Sequence, residues 1–336
     1  MTDLVQHTGF RSHFTDRNAG WLSKREKIFF MTHTSPCPRL FATLPVGFWN
    51  RACMAIPVAA RFFRCGIQHV VPLPNGTMMA FSGKAIYVLD ADGNTIHPPA
   101  RIQGSRPLSV CLSKGIVYYG EYRRNRRRVP VHVWSSRNCG KTWTPAWKFD
   151  GVRHIHGVYH DPYTEQIWVC TGDRDSESGL WVSDNGFKDL KRVVGGSQQS
   201  RVVKLLFTRE FIYFGSDSPL EKNFIYRLER DTHRVHRLQA VGGSVFHGCK
   251  VGNVLHFSTA VEPGQVNTTR RAEVWQSRNG INWRRIISLK KDFWDMRLFQ
   301  YGQIFFPDGD GDCRHLYYTP FATEHHHDTV VLDIGL

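Results

Sequence analysis

Residues 153–157 read Arg-His-Ile-His-Gly, two imidazoles two positions apart beside a guanidinium. In an extended segment, alternation sends His154 and His156 to one face and Ile155 to the other. Two such histidines can chelate a divalent metal, with a third ligand such as His247 or a carboxylate from elsewhere in the chain. They can equally serve as general base and acid. A single strand histidine is usually a hydrogen-bonded core residue, but a pair on one face next to Arg153 points to chemistry.

Carboxylates recur in a fixed relation to short apolar runs. Glu121 follows Ile116-Val117-Tyr118-Tyr119-Gly120, Asp173 follows Ile167-Trp168-Val169-Cys170-Thr171-Gly172, and Asp217 follows Phe211 to Ser216. Glu262 follows Val254 to Val261, and Asp308 is expected next. The segments ahead of such runs carry His69, Arg106, Arg153, Arg201, His247, and Arg297 with Gln300. The expected catalytic set is His154, His156, Glu121 and Asp173. The expected substrate contacts are Arg153, Arg201, Asp217, His247, Glu262, Gln300 and Arg123. No resident cofactor is expected, and a divalent metal at the histidine pair stays open. The run Arg123-Arg124-Asn125-Arg126-Arg127-Arg128 reads first as a solvated, charged loop, and second as a grip for phosphate or carboxylate groups.

For these residues to meet, the elements that carry them must repeat. Short strands end in turns at Tyr87, Trp134, Trp181, Tyr226, Trp275 and Tyr317, and the anchors are spaced 42–49 residues apart. One interval earlier lies Phe41, a weaker seventh. A period in the forties with about four strands per unit is the signature of a β-propeller. An all-β, seven-bladed β-propeller is expected, with six blades as the alternative. A β-sandwich would not keep one period along the whole chain. Equivalent positions in successive blades are related by rotation, so polar residues at one repeat phase should line the axis. Residues 1–25 are expected to form an irregular extension and 26–336 a single propeller domain. A short helix fits only within 47–63, and residues 329–334 read as a closing strand beside 28–30.

Composition narrows the partners. A net charge of +15 and a pI near 9.6 favour an anionic one. No RNA-recognition motif is present, so no specific nucleic acid is expected. Eight cysteines without a CxxC pair argue against a zinc ribbon and fit reduced thiols. The first 26 residues lack an apolar block, and the apolar segment 41–63 is broken by Pro45, Asn50, Arg51, Pro57 and Arg61. A cytoplasmic protein without a membrane span is the expectation. Asp308-Gly309-Asp310-Gly311-Asp312 reads as a tight acidic turn rather than a calcium loop, because the closing Glu is missing. His325-His326-His327 is too isolated to count as a metal site.

Ser136-Arg137-Asn138-Cys139-Gly140-Lys141-Thr142-Trp143 closely resembles the Asp-box of sialidase-like propellers, with Asn138 in the place of Asp. Residues 183–187 and 277–283 look like degenerate copies in phase with the repeat. The box is a structural hairpin and no catalytic role is assigned to it. The resemblance covers roughly residues 66–336 and implies a carbohydrate substrate. True sialidases are not matched: no Phe-Arg-Ile-Pro or Tyr-Arg-Ile-Pro stands near the start, and the arginine triad cannot be placed. Propeller polysaccharide lyases resemble the Arg-His-Tyr set. By that likeness His154 or His156 would be the base, Arg153 or Arg201 the carboxylate clamp, and Tyr119 or Tyr122 the acid. Hydrolysis would instead take two carboxylates from Glu121, Asp173, Asp217 and Glu262. The expected function is therefore elimination or hydrolysis on an acidic oligo- or polysaccharide. The alternative is a non-catalytic propeller that binds glycan or protein in a polysaccharide assembly system.

Overall fold

The structure, a computed structural model, describes residues 4–33 and 35–335. Its strands form seven antiparallel sheets of four strands each, the blades of a seven-bladed β-propeller. The chain divides into two compact units. One comprises residues 1–99, 247–263 and 269–336, and the other residues 100–246 and 264–268.

The second unit holds three complete sheets. The first runs Val110–Ser113, Ile116–Gly120, Val131–Ser136 and Thr144–Phe149. The second runs His154–His160, Ile167–Gly172, Gly179–Ser183 and Lys191–Gly195. The third runs Val202–Phe207, Phe211–Ser216, Asn223–Glu229 and Val235–Val241. All six residues of Ile167–Gly172 are buried. That is why the run reads as apolar throughout rather than alternating. Tyr118, Val131 and Val133 pack on Ile155, Val158 and Val169. Trp168, Cys170 and Leu180 pack on Val202, Leu205 and Phe214. Burying each large apolar side chain stabilises the fold by about 1.5–3 kcal/mol.

Two glycines permit this closeness. A Cβ on Gly120 would lie 2.3 Å from Ile155 Cγ2 of the next blade, and one on Gly172 would lie 2.5 Å from the His156 ring. Each glycine sits directly ahead of a site carboxylate, Glu121 or Asp173. The peptide joining Gly172 to Asp173 is cis.

The turn over residues 136–143 is closed by side-chain hydrogen bonds. Ser136 Oγ accepts from Gly140 N at 2.8 Å, and Asn138 Oδ1 accepts from Thr142 N at 2.9 Å. Gly140 has φ +87°, and Trp143 packs on Tyr119 with ring centroids 4.8 Å apart.

The other unit corrects five expectations. Residues 4–24 are not irregular: they form the strands Leu4–His7, Arg11–Thr15 and Ala19–Lys24. The closing strand Thr329–Asp333 pairs with Leu4–His7, from Leu4 opposite Leu332 to His7 opposite Thr329, and not with residues 28–30. Residues 28–30 belong to Lys27–Thr32, the third strand of the sheet that ends in Ser35–Thr43. Phe41 lies in that fourth strand, so it is no equivalent of Tyr87. The reason is an insertion. The helices Phe48–Ala55 and Pro57–Phe62 lie between this sheet and the next, and stretch the interval beyond the repeat. They expose Phe48, Trp49, Phe62 and Phe63. Tyr317 is likewise one strand out of phase, because His315–Phe321 is the middle strand between Gln303–Phe305 and Thr329–Asp333. Asp308 precedes that strand instead of following it, while Asp312 accepts from Arg314 N and His315 N in a tight turn.

Candidate functional site

The strand His154–His160 opens the second sheet of its unit, with Arg153 just ahead of it. Asp173 leaves the end of the neighbouring strand, where His154 pairs with Gly172. Register therefore brings the histidines and the carboxylate together. His154 Nε2 lies 3.1 Å from Asp173 Oδ1, and His156 Nε2 lies 3.3 Å from the same oxygen. Arg153 Nη1 donates to Asp173 Oδ2. Arg201, just before the strand Val202–Phe207, places Nη2 at 3.4 Å from Asp173 Oδ1 and Nε at 3.2 Å from Asp217 Oδ2.

The outer ring nitrogens are engaged as well. His154 Nδ1 is 3.3 Å from the carbonyl oxygen of Arg123, and His156 Nδ1 is 3.1 Å from that of Val202. Tyr122 stacks on the His154 ring at 4.3 Å. The histidine side chains are 7% and 2% exposed, against 34% for Arg153. Solvent thus meets the Arg153 guanidinium beside a half-buried Tyr122, with the imidazoles more deeply placed.

Electrostatics follows from this packing. Burial alone would raise the Asp173 carboxyl. Hydrogen bonds from His154 and His156 and the charge of Arg201 outweigh it and hold the group far below the usual carboxylate range. Burial pushes His156 down, toward the neutral ring. Burial, followed by the charges of Asp173 and Asp217, pushes the Tyr122 phenol up to about 12.

Glu121 joins the same network from one blade earlier. It pairs with Arg123 at 2.8 Å and His132 at 3.3 Å, and the Arg123 backbone carries His154. Glu177 stands outside the repeat pattern of the sequence. This buried carboxylate accepts from Asp173 N and Arg153 N, each at 3.2 Å, and pairs with Arg128. Gln198 donates to the Asp173 carbonyl at 3.0 Å. Neither falls on the repeat phase, so the pattern held no signal for them. The basic run is accordingly part structure, since Arg123 and Arg128 hold carboxylates, while Arg126 and Arg127 face solvent.

His247, Glu262 and Gln300 belong to the other unit. His247 Nε2 meets Gln303 Oε1 at 3.0 Å, and its ring packs edge-on against Phe305. Glu262 is buried just past the strand Val254–Thr259. Gln300 donates to the Arg61 carbonyl at 2.8 Å. No helix among the described residues is long and apolar enough to cross a membrane.

No protein-family model matches the sequence, and no curated protein does. Solved structures do match. A chain of a mitotic checkpoint complex is 10% identical with a TM-score of 0.61, over 99% of this chain and 93% of that one. A GH74 enzyme from Niastella koreensis is 13% identical with a TM-score of 0.54, over 83% of this chain and 46% of that one. A prolyl endopeptidase is 11% identical with a TM-score of 0.59, over 93% and 46%. This chain therefore spans about half the length of those two enzymes. Identities this low show the propeller fold and leave activity to the site itself.

Proposed function

We propose that the protein cleaves an acidic, uronate-containing saccharide by β-elimination at the face formed by Arg153, Arg201 and Tyr122. The observation that carries this reading is a partly exposed guanidinium pair beside a phenol stacked on His154. The Asp-box resemblance and the basic charge agree with it. Elimination breaks C5–H and C4–O, forms a C4=C5 double bond, and leaves the proton on the departing oxygen. Neutralising the sugar carboxylate with Arg153 and Arg201 acidifies the C5 proton.

Proton transfer is assigned to Tyr122. Both ring nitrogens of His154 and of His156 already face acceptors within the protein, whereas no hydrogen bond among the described residues engages the Tyr122 hydroxyl. A tyrosine phenolate that takes the C5 proton and returns it to the leaving oxygen balances the reaction with no co-reactant. Because the phenol is raised to about 12, phenolate is scarce at neutral pH, and the rate should climb with pH through the alkaline range. Glycoside hydrolysis fits less well, since it needs one carboxyl held protonated and Asp173 is held ionised.

One observation favours the non-catalytic alternative. The ionic groups of the cluster are paired internally, as a rigid binding framework would be. A panel of uronate and neutral glycans separates the two readings. The expected result is ultraviolet absorbance of an unsaturated uronate from an acidic glycan, with Tyr122→Phe lowering kcat by about 10²–10⁴. Saturable glycan binding without product would establish the binding reading instead.

A further inference from the structure

We infer that His154 Nε2, His156 Nε2 and Asp173 Oδ1 form a three-ligand site for a divalent transition metal.

Every nitrogen of the two rings faces an acceptor. The carbonyls of Arg123 and Val202 and the Asp173 carboxylate can only accept, so a neutral ring satisfies one side alone; a metal at Nε2 requires the proton on Nδ1, against the carbonyl. Nε2 then presents a lone pair. Both lone pairs point at a carboxylate oxygen, from 3.1 and 3.3 Å. Lone pair against lone pair is repulsive at that distance unless a cation lies between them.

Two extra protons or one divalent ion would cure this. They bring the same charge, but the protons make two buried imidazolium ions, and burying charge is costly. The ion instead forms bonds to all three donors, which lie within 4.8 Å of one another. An imidazole whose Nδ1–H is anchored on a backbone carbonyl is the usual support for a metal ligated through Nε2. Two nitrogens and one carboxylate suit zinc, manganese, iron or nickel better than magnesium or calcium. The Arg201 contact with Oδ1 is the longest in the set at 3.4 Å, and Arg201 keeps Asp217 when it yields. Three protein ligands leave coordination positions free for a substrate oxygen.

The only other cluster of this kind among the described residues lacks the conflict. His33 Nε2 meets the Asp16 carbonyl at 2.9 Å, and its Nδ1 meets the Tyr317 hydroxyl at 2.9 Å. A hydroxyl can donate, so one neutral tautomer satisfies both sides.

Occupancy of the site does not depend on the glycan reading. Its role there, helping Arg153 and Arg201 neutralise a sugar carboxylate, rests on it. The test strips the full-length protein with chelator, reloads it with Zn²⁺ and separately with Co²⁺, and measures bound metal and the Co²⁺ spectrum. One equivalent per chain is expected, with a Co²⁺ absorption of low coordination number. His154→Gln/His156→Gln should weaken binding at least about 100-fold, from the two lost ligands. His160→Gln/His236→Gln, at histidines outside the cluster, should not. Thermal melts confirm that both variants fold. Binding well below one equivalent, or equal binding by the two double variants, overturns the site. Metal bound without glycan cleavage overturns only the lyase reading. Cleavage unchanged in metal-free protein overturns only the metal's role.

Discussion

Buried strand histidines in different units show what partner chemistry decides. His256, on Val254–Thr259, has Nε2 3.1 Å from the Gln276 side-chain nitrogen. Arg284 occupies the Gln276 oxygen at 2.9 Å, which fixes the amide so that its N–H₂ faces the ring. The lone pair of His256 thus meets a donor, and burial pushes its pKa down to about 3. It is a neutral core residue, matched at Nε2, whose Nδ1 has no hydrogen-bond partner among the described residues. His154 and His156 are as deeply placed, yet both nitrogens of each ring meet acceptors. Residue type and burial are shared, and only the partners separate a packing residue from a ligand.

The largest expected effect strikes the pair at its shared oxygen. Asp173→Asn leaves Arg153 and Arg201 without that counter-charge, and urea denaturation should show a loss of about 3–5 kcal/mol. A loss under about 1 kcal/mol would mean that solvent already screens the cluster. Next in size is a pH effect at His256. Its folded pKa lies below the ordinary 6.5, so only the unfolded chain takes up a proton as pH falls. Its contribution is complete above about pH 6.5 and is lost between there and about pH 3, with a slope of up to about 1.4 kcal/mol per pH unit. His256→Gln should flatten that slope, and an unchanged slope contradicts the neutral-core assignment. The smallest effect belongs to the box turn. Asn138→Ala should cost about 0.5–1.5 kcal/mol in the melting curve and leave metal binding untouched. Weakened metal binding in that variant would tie the turn to the site.

Much of this was legible in the sequence because strands with two buried faces leave aromatic, β-branched runs at a fixed period. Trp134, Trp181, Tyr226 and Trp275 all sit on third strands as the spacing requires. The period failed at both ends for a physical reason. One sheet is assembled from residues 4–7 and 303–333, and two helices interrupt the chain before residue 67. Within the site, alternation put His154 and His156 on one face, and repeat phase brought in Asp173, Arg201 and Asp217. Phase could not reveal Glu177, which acts through backbone amides from an irregular loop. Nor could it reveal that the carbonyls of Arg123 and Val202 stand against the two Nδ1 atoms, because every residue has a carbonyl and only folding selects two.

The ring protons of His154 and His156 are directly observable by nitrogen NMR of protein labelled at histidine. In protein loaded with one equivalent of Zn²⁺ near neutral pH, both rings should carry a protonated Nδ1 and an Nε2 without a proton. That loading should shift both Nε2 resonances and leave His256 unmoved. Two doubly protonated rings, or Nε2 resonances indifferent to Zn²⁺, would contradict the account.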